Sequence, residues 1–201
     1  MQNREYIQTY LAEVGRICDT ISQESIDRAI ETLFKAWKEG RTVFIMGNGG
    51  SASTATHFAA DLVKQTAIGE SVPRFRVMSL SDNVPLVSAL TNDDGWENLY
   101  LEQLKSFARP GDVGIGISVH GGSGKDKAGA WSQNLLKGLA YLKSFGGQTI
   151  GLIGFDGGPM RDLVDVPIIV PANSTPQVEG FHVVLHHLIT FRLRELITAT
   201  L

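Results

Sequence analysis

The sequence predicts an α/β protein built on a mostly parallel sheet covered on both faces. Two observations lead there. Short apolar runs rich in β-formers alternate with longer stretches of helical spacing, which is the pattern of a βαβ series. The runs around Thr42–Ile45 and Val113–Ile117 each lead into a loop of glycine and serine, where open parallel sheets bind ligands. No repeat, low-complexity tract or linker interrupts the 201 residues. They therefore read as one domain, with two leading helices over 1–40 and an α/β core over 41–201.

Tyr6, Ile7, Tyr10, Leu11, Val14 and Ile17 recur at helical spacing over residues 3 to 21. Ile26, Ala29, Ile30, Leu33, Phe34 and Trp37 repeat the pattern over 24 to 39, and Gly40 is placed to end that helix. Thr42–Ile45 is the first strand, and Ser51 is placed to cap the helix that carries His57 and Asp61. Phe75–Leu80 is a second strand, and a short helix over 83–90 accommodates Pro85 in its first turn. The polar segment 91–96 reads as a loop and 97–107 as a helix. Val113–Ile117 is a third strand, followed after the loop 118–124 by a helix from about Lys127 to Phe145. Strands over 149–153 and 166–170 flank the glycine turn 155–158 and a short helix over 160–163. Thr175 as N-cap and Pro176 at the first position open a last helix.

The order strand, Met46-Gly47-Asn48-Gly49-Gly50-Ser51, helix has a chemical consequence. Three glycines let backbone N–H groups approach a ligand, and a helix N-terminus favours an anion. The pattern is neither a Walker loop nor a dinucleotide fingerprint, and a tight turn without ligand also fits it. Ser118-Val119-His120-Gly121-Gly122-Ser123-Gly124 is a second such loop. Hydroxyls of Ser51, Ser118 and Ser123 beside loop N–H groups are sufficient to hold a phosphate, so two such loops favour a phosphorylated small molecule.

Composition narrows the class. Hydrophobic residues make up 43% and charged residues 19%, ordinary for a water-soluble fold. A net charge of -3 gives no basic field for nucleic acid or anionic membrane. No apolar run reaches transmembrane length, and the polar start Met1–Glu5 has no signal-peptide core. Cys18 is the only cysteine, which excludes an intrachain disulfide and suits a reducing, cytoplasmic setting.

All five histidines fall in segments that could form a site. His57 and Asp61 share one helical face, where such a pair binds a divalent metal, exchanges protons or forms a surface hydrogen bond. The last helix carries Glu179, His182, His186 and His187. Glu179 and His187 stand about two turns apart. His182 and His186 form another i,i+4 pair on a different face. Spacing alone leaves open which pair faces the ligand loops.

Gly47-Asn48-Gly49-Gly50-Ser51 with His57-Phe58-Ala59 resembles the first motif of the sugar isomerase (SIS) domain in its phosphoheptose isomerase branch. Ile117-Ser118 to Ser123 resembles that family's serine-rich phosphate loop, and Asn92-Asp93 and Gly154–Gly158 also fit. The resemblance covers essentially the whole chain. It implies a three-layer α/β/α sandwich around a five-stranded parallel sheet and a homotetramer with sites between subunits. It implies conversion of sedoheptulose 7-phosphate to a mannoheptose 7-phosphate. Substrate would be held by Asn48, Gly49, Gly50, Ser51, Asn92, Asp93, Ser118, His120 and Ser123. It further implies zinc, held at the positions of His57, Asp61, Glu179 and His187, and a catalytic set of Asp61, Glu179 and His187. Asp61 stands where the family has glutamate, Glu179 where it has glutamine, and Val119 and His120 where it has threonine and serine. The other reading weighed is a non-catalytic relative that binds the bacterial replication initiator or senses sugar phosphates. The acidic Asp61 and the retained histidines favour the enzyme.

Overall fold

The computed structural model describes residues 2–69, 71–122 and 131–200. Five parallel strands form one sheet: β1 (Thr42–Gly47), β2 (Arg76–Ser79), β3 (Val113–Ser118), β4 (Gln148–Gly154) and β5 (Val166–Val170). Their order is β2-β1-β3-β4-β5. From β1 the chain first moves outward to β2, then crosses back to β3 on the other side. The switch in direction lies between β1 and β3, the place where such sheets open a crevice beyond their strand ends.

Among the described residues, eight α-helices surround the sheet: α1 (Asn3–Thr20), α2 (Gln23–Lys38), α3 (Gly50–Gln65), α4 (Val84–Asp93), α5 (Leu99–Phe107), α6 (Gln133–Ser144), α7 (Gly158–Leu163) and α8 (Thr175–Thr198). Alternation along each strand divides the core into two layers. Val43 and Ile45 of β1 face α2, α3 and α8, together with Phe58, Leu62, Phe181, Leu185 and Ile189. Phe44 and Met46 face the opposite layer with Tyr100, Leu104, Leu135 and Leu139. On that side β3 presents Gly114 and Gly116, where a Cβ would come within 2.8 and 2.7 Å of Leu142 and Leu139. The missing side chains let α6 settle directly on the strand.

Several boundaries differ from the sequence reading. Gly49 is the N-cap of α3 with φ +57°, and Ser51 lies inside the first turn. A glycine takes that positive-φ conformation at low cost, so the helix begins two residues earlier than a Ser51 cap would place it. Asn92 and Asp93 are not in a loop; they close α4, whose start is capped by the Asn83 side chain. Trp131 and Ser132 form a turn, so α6 begins at Gln133, and the expected helix over 127–130 lies outside the described residues. Ser174, not Thr175, precedes the last helix as its N-cap.

Ile17 is the buried residue of α1, while Tyr6, Ile7 and Leu11 are exposed. Val184, Leu188 and Phe191 form another exposed apolar stripe on α8. Among the described residues no helix is long and apolar enough to cross a membrane.

Candidate functional site

The end of β1 is tied down before α3 begins. The Tyr100 hydroxyl and Ser81 Oγ both donate to the carbonyl of Gly47. Asn48 and Asn134 exchange side-chain hydrogen bonds of 3.0 and 2.8 Å, joining the β1 loop to α6. The amide of Asn48 is therefore largely spent on holding the loop. Ser51 N–H turns back to the Asn48 carbonyl at 3.1 Å, which leaves the buried Ser51 hydroxyl at the positive end of the helix.

Across the switch point, β3 ends in buried Ser118, whose Oγ accepts the N–H of Gly121 at 3.1 Å and lies 3.5 Å from Ser132 Oγ. Gly121 has φ +65°, and a Cβ there would stand 1.9 Å from the Gly157 carbonyl oxygen. The loop is thus pressed against the turn after β4 and admits only glycine at that position. Asn48, Ser51, Ser118, His120, Trp131, Ser132 and Glu179 line a cleft of about 160 Å³ between these segments. The imidazole of His120 packs 4.2 Å from the Phe155 ring and 5.6 Å from that of Trp131. Phe155 and Ser132 are the non-glycine residues with positive φ among those described, and both adjoin this cleft. Backbone strain of this kind is held where surrounding structure enforces it, commonly at working sites. Ser123 lies outside the described residues.

Farther along, α3 and α8 bring four side chains together. His57 Nε2, His186 Nδ1 and His187 Nε2 lie 3.5, 3.6 and 3.4 Å from Asp61 Oδ2. The four donor atoms fall within 4.8 Å of one another. His57 and His187 are half exposed, whereas His186 is fully buried. Burial first, then repulsion from His187 and His57, lowers the pKa of His186 to about 3, so its ring is neutral and offers a lone pair.

This donor set suits a divalent cation. The spacings from Asp61 are too long for good hydrogen bonds, and Asp61 Oδ2 and both ring nitrogens of His186 are buried without a hydrogen-bond partner. A tetrahedral ion with bonds of about 2.0–2.1 Å to oxygen and nitrogen has edges of about 3.3 Å, close to these three spacings.

His57 and Asp61 meet as their spacing suggested, and His187 joins them, as the resemblance implied. Glu179 does not join them: its Oε1 lies 3.0 Å from where a Cβ on Gly50 would be, at the anion end of α3. Asn92 and Asp93 are exposed at the end of α4, bonded to each other, away from the cleft lining. Sequence reasoning missed His186 in the four-residue group, and Trp131 and Phe155 beside His120. The interval of seven from Glu179 to His186 was the available signal, because it places both on one face of α8.

Comparison with known proteins agrees with this architecture. The SIS domain family matches residues 6–128. A phosphoheptose isomerase of Geotalea daltonii is 35% identical over 189 residues, covering 92% of this chain and 92% of its own. Lincomycin biosynthesis protein LmbN of Streptomyces lincolnensis is 38% identical over 185 residues, which are 90% of this chain and 66% of that protein. Phosphoheptose isomerase GmhA from Neisseria gonorrhoeae superposes with a TM-score of 0.83 at 25% identity, over 96% of this chain and 98% of its own. A five-stranded parallel sheet with this strand order, a family match over more than half of the chain and relatives this similar lead to one conclusion: the protein belongs to the SIS domain family, among the phosphoheptose isomerases.

Proposed function

We propose that this protein interconverts the ketose and aldose forms of a sugar phosphate, sedoheptulose 7-phosphate and a mannoheptose 7-phosphate. The observation that carries this reading is the placement of two features on one helix face. Gly50, His57 and Asp61 are separated by seven and four residues, so they lie along one side of α3. The anion cleft stands at the N-terminus and the histidine group about 10 Å along the axis, at 1.5 Å per residue. That interval suits an open-chain seven-carbon sugar with a terminal phosphate. In this reading Gly49, Gly50, Ser51, Ser118, His120 and Ser123 receive the phosphate and its neighbouring hydroxyls, with Asn48 holding the loop.

Aldose–ketose interchange moves a proton between adjacent carbons through an enediol, so it needs a base, an acid and a stabilised oxyanion. Asp61 and His187 are the groups available for proton transfer at the histidine end of this strip, while Glu179 stands at its phosphate end. His57 and His187 are the donors common to this chain and the family's zinc set, and Asp61 offers a carboxylate where that set has glutamate. Zinc held there would supply polarisation of the substrate's carbonyl and hydroxyl oxygens. The half-exposed His57 and His187 leave one side of the group open to substrate.

A cytoplasmic homotetramer completes the reading. Exposed apolar residues on α1 and α8, including Leu188 next to His187, support a covering subunit. Asn92 and Asp93 then meet substrate from a neighbouring subunit.

The test is turnover of sedoheptulose 7-phosphate in D₂O, followed by NMR. Product formation with solvent deuterium at the carbon next to the carbonyl is expected. Binding of the sugar phosphate with neither turnover nor deuterium uptake would favour the sensing, non-catalytic reading instead.

A further inference from the structure

We propose that His186 is the fourth metal ligand in this protein and that Glu179, at the position of the family's glutamine ligand, is not one. This rests on the reading of a metal-binding isomerase and departs from its usual ligand set.

The register of two helices carries it. The α3 and α8 helices meet at matched intervals. Glu179 stands against Gly50, and seven residues on along both helices His186 packs against His57, with ring centroids 4.5 Å apart. Seven residues are about 10.5 Å of helix axis. Glu179 is therefore one whole contact away from the histidine group, with its carboxylate directed at the start of α3. His186 is already within the group. Its Nδ1 stands 3.6 Å from Asp61 Oδ2, a spacing that differs by 0.2 Å or less from those of His57 and His187. The four donor atoms lie within 4.8 Å of one another, a group of four that needs no contribution from Glu179 to hold an ion.

Burial supports the same assignment. A fully enclosed imidazole without hydrogen bonds at either nitrogen is costly, and a bound cation removes that cost at the ligating atom. Charge gives a second consequence. Three neutral imidazoles and one carboxylate leave a divalent ion with a net charge of about +1, whereas adding Glu179 would cancel it. Glu179 is instead the carboxylate in the cleft lining among the described residues, next to Ser51 and Ser118. There it meets substrate rather than the ion.

The experiment uses the full chain stripped with chelator and loaded with ¹¹³Cd²⁺ after ¹⁵N-histidine labelling. Scalar coupling from cadmium to three imidazoles is expected; coupling to only two, or no cadmium bound, would overturn the proposal. In parallel, Zn²⁺ affinity is measured by competition with a chromophoric chelator. His186→Leu is expected to weaken binding by more than about 100-fold, beyond the usual cost of losing a group that merely supports a ligand. Glu179→Gln and Glu179→Ala are expected to stay within about threefold of the parent. A normal affinity for His186→Leu, or lost metal in Glu179→Ala, refutes the assignment. The coupling pattern of the parent protein decides the matter even if His186→Leu does not fold. Three couplings without any isomerase turnover would leave the ligand set standing and remove the proposed reaction.

Discussion

Replacing Ser118 by alanine tests the anion cleft with little change in volume. In the folded protein Ser118 is 6% exposed, and its Oγ accepts the Gly121 N–H at 3.1 Å. Alanine removes that acceptor and leaves a buried N–H unpaired, which costs about 1–3 kcal/mol. It also removes one hydroxyl donor to a phosphate, and a hydrogen bond to a charged group is worth about 1.5–3 kcal/mol. The second quantity alone corresponds to a 10- to 100-fold rise in KM for the sugar phosphate, because 1.4 kcal/mol is tenfold. Steady-state kinetics on the heptose phosphate, with inorganic phosphate as competitive inhibitor, measures both affinities. The expected result is that KM and the inhibition constant rise together. A variant that folds, keeps its KM and is inhibited by phosphate as before would refute the placement of phosphate at Ser118. The double variant with Ser123→Ala should lose more than either single change.

Acid should weaken the fold through His182. Burial, partly offset by the Ile153 backbone, lowers its pKa to about 4, whereas an unfolded histidine titrates near 6.5. Below 6.5 the unfolded chain therefore binds a proton that the folded chain refuses. Stability is lost as pH falls from 6.5 to about 4, by up to roughly 3 kcal/mol. Urea unfolding at pH 7.5 and 5 should show a slope that His182→Leu reduces; equal slopes in both proteins would contradict it. Gly121→Ala should destabilise by several kcal/mol or prevent folding, since its Cβ would stand 1.9 Å from a backbone oxygen. A melting temperature within a degree or two of the parent would show that the loop can move. If the proposed tetramer forms through this stripe, Phe191→Glu together with Leu188→Glu should shift the mass measured by light scattering to smaller species. Unchanged mass would place the subunit contact elsewhere.

The strands and the two glycine loops were legible because their signals are local. Thr42 to Ile45 declares a buried strand, and glycines at 47, 49 and 50 declare a close approach. Where side chains from different helices meet is not local. Val178, Phe181, Val184, Leu185, Leu188 and Phe191 put apolar groups around most of α8, so periodicity could not separate its core face from its outer stripe. Only packing shows Val184, Leu188 and Phe191 outside and His182, His186 and Thr190 within. The same ambiguity hid that His186, and not Glu179, meets His57, Asp61 and His187. Asn92 and Asp93 read as a loop from their polarity, but the Asn83 cap and the Asp94 N–H bond to Leu90 carry α4 through them.

The matched seven-residue intervals of α3 and α8 also bear on how the protein can change. The separation between cleft and histidine group is fixed by helical rise, a constant of backbone geometry, and owes nothing to loop length. The loop after β3 and the turn after β4 can accept substitutions, as at Val119 and His120, and alter which phosphorylated end is grasped while the histidine group keeps its arrangement. Recognition and chemistry are mechanically decoupled, so new substrate preferences can arise at one end without re-inventing the other.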